Sequence, residues 1–171
     1  MRFSVLSLFI ATVTFGSAQT VSNGLLPAKH IRTLKRLQMR WHVPSYLPIG
    51  TRFKNFRIED TKSRAQTWGQ ITYDNPKSRS SLTIQFASDG LGDIFFTDQN
   101  GETYEPTSGI SFKAKFGAGR LEQVKNKYLD EVVMQWMELP GKGYPKFISA
   151  IGRNMSLGEM KKVVESLRPV K

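Results

Sequence analysis

Ser81-Leu82-Thr83-Ile84-Gln85-Phe86-Ala87 alternates apolar and polar side chains without a break. A β-strand turns successive side chains to opposite faces, so Leu82, Ile84 and Phe86 share one face and Thr83 and Gln85 the other. That is a half-buried strand, and its neighbours repeat the pattern. Upstream, residues 52–59 offer Phe56 and Ile58, and residues 67–73 offer Ile71 and Tyr73 on one face. Asn75-Pro76 turns the chain between that segment and the quoted one. Downstream, Asp89-Gly90-Leu91-Gly92-Asp93 makes a loop, residues 94–97 a short strand and Asn100-Gly101 a hairpin turn. Ile110, Phe112, Ala114 and Phe116 then alternate with Ser111, Lys113 and Lys115. Val132, Met134 and Trp136 mark another strand, and Leu139-Pro140-Gly141-Lys142-Gly143 turns into a strand over residues 144–151. Residues 117–127 fit a hairpin arm or, through Leu121 and Val124, a helical turn.

A helical period brackets this run of strands. Over residues 28–42, Ile31, Leu34, Leu37 and Trp41 fall on one arc, while Lys29, Arg32, Lys35, Arg36 and Arg40 occupy the other. Pro27 suits the first turn, and Pro44 biases Val43 away from helical angles. At the far end Ser156 and Glu159 form a capping box, in which hydroxyl and carboxylate each satisfy an orphan backbone N–H. Met160, Val163, Val164 and Leu167 make the buried stripe of that helix, and Pro169 follows its stop. Helix, strands, helix is the order of an α+β fold: one domain over residues 19–171, with about seven largely antiparallel strands between an N-terminal and a C-terminal helix.

Residues 1–18 read as an export signal. Arg2 supplies the positive start, residues 3–15 an apolar run, and Gly16-Ser17-Ala18 the small residues of a cleavage site after Ala18. A run of about 13 residues is short of the roughly 20 that a membrane helix needs. The expectation is a secreted or periplasmic protein beginning at Gln19, which stands where a lipoprotein would carry its anchoring cysteine. The 171 residues contain no cysteine, so packing and hydrogen bonds must hold the fold without disulfides. Thiol catalysis and cysteine zinc sites are excluded with them.

The formal charge is +11, and it is unevenly spread. Residues 28–64 carry ten lysines and arginines against Glu59 and Asp60, whereas residues 65–171 are nearly balanced. A solvated face explains this concentration; so does a contact surface for an anionic partner, with Lys29, Arg32, Lys35, Arg36 and Arg40 as its residues. The expected partners are an anionic envelope polymer, a phospholipid surface or a protein. Phe53, Phe56, Trp68 and Tyr73 near Arg52, Lys54, Arg57 and Arg64 could stack bases, but Phe53 and Phe56 differ by three and should face opposite ways on a strand. Nucleic acid is disfavoured on that ground and by export.

Catalytic patterns are sparse. His30 and His42, near opposite ends of the first helix, would lie about 18 Å apart at 1.5 Å per residue and could not share a metal. No Gly-x-Ser-x-Gly elbow presents a serine nucleophile. Asp89, Asp93, Asp98 and Glu102 surround a glycine-rich loop, where they serve as turn residues, as ligands of a loose calcium site, or as the carboxylate pair of a small hydrolase. Their spacing misses the helix-loop-helix calcium pattern, and no cofactor or metal is expected.

Pro44-Ser45-Tyr46-Leu47-Pro48-Ile49-Gly50, the strands ending in Trp136, Ser156-Leu157-Gly158-Glu159 and Ser166-Leu167 resemble an uncharacterised bacterial extracytoplasmic domain of sporulation-type lipoproteins and anti-sigma-associated proteins. The resemblance covers roughly residues 44–167. It implies a fold distantly related to lipoprotein carriers, with a curved antiparallel sheet and helices on its concave side, and it carries no catalytic residues. The functional expectation is a noncatalytic binding or accessory module. A lipid-binding or lipoprotein-binding carrier and a carboxylate-dependent extracellular hydrolase are the alternatives.

Overall fold

The computed structural model describes residues 25–37, 41–60, 67–88, 96–137 and 147–170. The described elements begin with helix α1 (Ala28–Arg36) and the short strand β1 (His42–Pro44). Strands β2 (Arg52–Asp60), β3 (Thr67–Asn75) and β4 (Ser80–Ala87) follow, then a small hairpin of β5 (Phe96–Thr97) and β6 (Thr103–Tyr104). Next come β7 (Ser108–Ala114), β8 (Gly117–Lys125), β9 (Asp130–Met137) and β10 (Phe147–Arg153). Helix α2 (Leu157–Glu165) and β11 (Leu167–Pro169) close the chain. The main sheet has seven strands in the order β2-β3-β4-β10-β9-β8-β7, every neighbouring pair antiparallel. This is the α+β domain that the alternation predicts.

The alternation around Ser81 is observed along the neighbouring strand as well: residues of β3 are buried and half-buried in strict turn. Register aligns the apolar set into a line across the whole sheet, Phe56–Ile71–Ile84–Ala150–Met134–Leu121–Ile110. A face so apolar must be covered. The cover is α1, the two-stranded ribbon of β1 with β11, and α2, whose Leu34, Met160, Val163, Val164 and Leu167 join the same core. Bulk and gap interlock. Trp41 fills the place where a side chain on Gly69 would stand, at 4.9 Å from the Phe86 ring and edge-on to it. Met155 and Met160 occupy the corresponding gap over Gly152.

Three expectations need correction. The first helix stops at Arg36, with Leu37 already extended, so Trp41 and His42 are not helical. Pairing of residues 42–44 with β11 overrides the helical period there, which is how tertiary contact commonly defeats local propensity. Likewise Leu167 is buried on β11 rather than on α2, which ends at Glu165. Third, Phe53 and Phe56 lie on one face. The pairing skips Lys54, with Phe53 opposite Tyr73 and Asn55 opposite Thr72, and this bulge restores the parity that a spacing of three destroys. Residues 117–125, for which two readings stood open, form strand β8.

The capping box of α2 is present in full: Ser156 Oγ accepts from Glu159 N at 3.2 Å, and Ser156 N donates to Glu159 Oε2 at 3.1 Å. Replacing Ser156 with Ala should therefore cost about 0.5–2 kcal/mol. Leu167→Ala, at a fully buried site, should cost about 2–5 kcal/mol. Gly69→Ala would drive a methyl into the Trp41 ring and should cost about 1–3 kcal/mol. Urea denaturation midpoints check all three, and a Gly69→Ala protein as stable as the parent would mean that Trp41 does not hold this position.

Candidate functional site

Helix α1 lies over the β2 side of the sheet. Its N-cap is Pro27, whose carbonyl accepts from the N–H groups of His30 and Ile31. Leu34 is buried, Ile31 and Leu37 are half-buried, and Lys29, Arg32, Lys35 and Arg36 are exposed. Four of the five basic residues expected on one side of the helix are thus brought together on a surface. The fifth, Arg40, lies outside the described residues.

Docking of α1 runs through His30. Its ring lies 5.3 Å from Phe53 and 4.6 Å from Phe56, a contact made possible by the bulge at Lys54. Burial, with the adjacent Lys29 ammonium, holds the His30 imidazole below its ordinary value. His42 is buried on β1, with Phe116 at 5.5 Å. Each histidine packs against phenylalanine, one on the helix and one on the ribbon.

The electrostatics of α1 differ from those of the strand beneath it. On β2, Arg52 and Lys54 share Asp74 at 3.4 and 3.8 Å, and Arg57 pairs with Glu59. On α1 there is no acidic residue, and among the described residues none of its four cations reaches a carboxylate. Lys35 and Arg36 sit in the last turn, where the helix dipole favours cations. The arrangement can attract anions through several exposed charges at once.

The acidic group resolves differently. Asp98 Oδ1 accepts from the N–H groups of Asn100 and Glu102 at 2.8 and 3.1 Å, and Oδ2 accepts from the Tyr104 hydroxyl at 3.0 Å. Desolvation pulls this carboxyl up, but those donors outweigh it and hold it below its ordinary value. Tyr104 is pushed up by desolvation and by its two carboxylate neighbours, Asp98 and Glu102. Asp98 therefore builds the turn that Asn100 and Gly101 announce, Gly101 taking a φ of 85°. Asp89 and Asp93 lie outside the described residues. Among the described residues no group of three or more acidic or histidine side chains converges on a metal-sized site, and no helix is long and apolar enough to cross a membrane.

Comparison of the chain with protein-family models, with curated proteins and with solved structures finds no match.

The lowered His30 value has a consequence for stability. The unfolded chain takes up a proton at His30 near pH 6.5, before the folded protein does. Its contribution to stability is complete above that pH and is lost as pH falls toward the lower folded value. His30→Gln should therefore reduce the difference between urea midpoints measured at about pH 7.5 and about pH 5. An unchanged difference would mean that His30 is not held neutral against Phe53 and Phe56.

Proposed function

We propose that the protein is a noncatalytic binding or accessory module that works outside the cytoplasm, exported by cleavage after Ala18, and that α1 holds it on an anionic surface. One observation carries the reading: Lys29, Arg32, Lys35 and Arg36 stand exposed on a nine-residue helix with no carboxylate partner among the described residues. Like charges three and four positions apart on a helix repel one another, α1 has no acid to offset them, and an anionic surface would. The surface is an anionic phospholipid or an anionic envelope polymer. Each basic group close to an anionic membrane contributes about 1 kcal/mol, and at physiological salt the screening length is about 8 Å. Binding should therefore be salt-sensitive.

Co-sedimentation with anionic and neutral vesicles across a salt series tests the membrane form of the proposal. The parent protein should bind anionic vesicles at low salt and release them as salt rises. The variant with Arg32, Lys35 and Arg36 all changed to Gln should lose most of that binding. Equal, negligible binding in every arm would remove the membrane form, and binding indifferent to the triple change would move the contact off α1. N-terminal sequencing of exported protein tests localisation, with Gln19 the expected first residue and a retained Met1 the result against it.

A lipid carrier is the second reading, and two atoms favour it. Trp41 Nε1 and the Tyr73 hydroxyl are buried in the core between sheet and cover without a hydrogen-bond partner among the described residues. Buried polar groups in that state are costly and are normally satisfied by something. Against it stands the filling of the same layer by Trp41, Phe86, Ile71 and Met160. A carrier should bind a fluorescent fatty acid saturably; a filled interior gives no saturable signal.

A further inference from the structure

The second face of the sheet, turned away from the helices, is polar through its middle. Register lines up Arg57–Gln70–Gln85–Ser149–Gln135 across β2, β3, β4, β10 and β9. The next row is Asn55–Thr72–Thr83–Ile151–Val133, and beyond it runs Arg52–Asp74–Ser81–Arg153–Glu131. Strands about 4.8 Å apart and same-face side chains nearly 7 Å apart along each strand make this a regular grid of amides and hydroxyls. Gln70, Ser81, Thr83, Gln85, Ile151 and Arg153 line a depression of about 250 Å³ within it. Ile151 also packs against a cluster of Phe96 from β5, Val124 from β8 and Val133 from β9, so the β5–β6 hairpin stands beside the depression.

Two properties of the grid decide what could occupy it. Its polar groups are oriented and only partly used. Ser149 Oγ donates to Gln85 Oε1 at 3.1 Å, and Gln70 Nε2 donates to Thr72 Oγ1 at 3.0 Å. Among the described residues, the Gln85 amide N–H groups, Gln70 Oε1 and the Thr83 and Ser81 hydroxyls have no partner and are open to a ligand. Its charges are also largely paired within the face: Arg57 pairs with Glu59 and Arg153 with Glu131, while Arg52 shares Asp74 with Lys54. An anion would want more uncompensated cations than this face offers, and beside the amide row the same face carries Trp68, Ala87, Phe147 and Met137 in register, apolar surface on which the faces of sugar rings can pack. A neutral, hydroxyl-rich chain wants what is here, namely fixed planar amides, hydroxyls and internally paired guanidiniums along a shallow track.

We propose that this face binds a neutral glycan chain laid across β3, β4 and β10, independently of the basic helix. The test is affinity electrophoresis of the protein through gels containing soluble β-glucan, hydroxyethyl cellulose or dextran. At least one polysaccharide should retard the parent protein, and the retardation should persist in high salt and in the Arg32, Lys35, Arg36 to Gln variant. Gln70→Ala with Gln85→Ala removes two oriented amides and should weaken the interaction by about tenfold or more. Gln85→Glu, nearly the same shape, takes away the N–H donors with less risk to folding and should show the same direction of change, with circular dichroism confirming both folds. The proposal is overturned if none of the three polysaccharides retards the protein. It is also overturned if retardation vanishes with salt or with the α1 variant, or if it is indifferent to both glutamine changes. Failure here leaves vesicle binding through α1 untouched, and the converse also holds.

Discussion

The Trp41 indole fills the gap that Gly69 leaves in the core face of the sheet, and its own backbone carbonyl accepts from Val170 N at 2.7 Å. Much else hangs on that seat. It fixes the entry to β1 against β3 and β4, and through Val170 it fixes the chain beyond β11 as well. The Ser45 N–H and hydroxyl both donate to the Ser166 carbonyl, and Ser166 Oγ accepts from Tyr46 N. Without disulfides, these contacts are what join the two ends of the domain over its core.

Covering one face leaves the sheet with two chemically separate surfaces. The helix side spends its apolar residues inward and turns uncompensated cations outward on α1. The opposite side pairs Arg52, Arg57 and Arg153 with carboxylates and presents amides and hydroxyls between them. These surfaces respond to different variables, since salt screens the first and leaves hydrogen bonding on the second nearly unaltered. Their proposed ligands are correspondingly different in charge.

Much of the fold could be read in the chain because period two is a local signal. The strands around Leu82, Ile71 and Phe112, the turn at Asn100-Gly101 and the capping box at Ser156 all depend on residues close in sequence. The limits of the helices did not, because His42 and Leu167 belong to a ribbon whose two strands are far apart in sequence. The bulge at Lys54 was hidden for a similar reason: only the pairing with Tyr73 and Thr72 requires it. Of the site, the basic side of α1 was plain from spacing. The polar grid was half legible, since Gln70, Thr72, Thr83 and Gln85 are the outward members of each alternation. Which of them stand side by side is set by register, and register is not written in either strand alone.

The hydrogen bonds between Ser45 and Ser166 span 121 positions of sequence. A nascent chain emerging N-terminus first completes all seven strands of the main sheet before α2 and β11 exist to meet β1. The apolar row from Phe56 to Ile110 is then a sheet face awaiting half its cover. Closure by contacts of such long separation is slow compared with hairpin formation. During that interval the face is open to association with other chains. The domain's exposure to misassembly is therefore concentrated in the interval when its main sheet is formed and α2 and β11 are not yet in place.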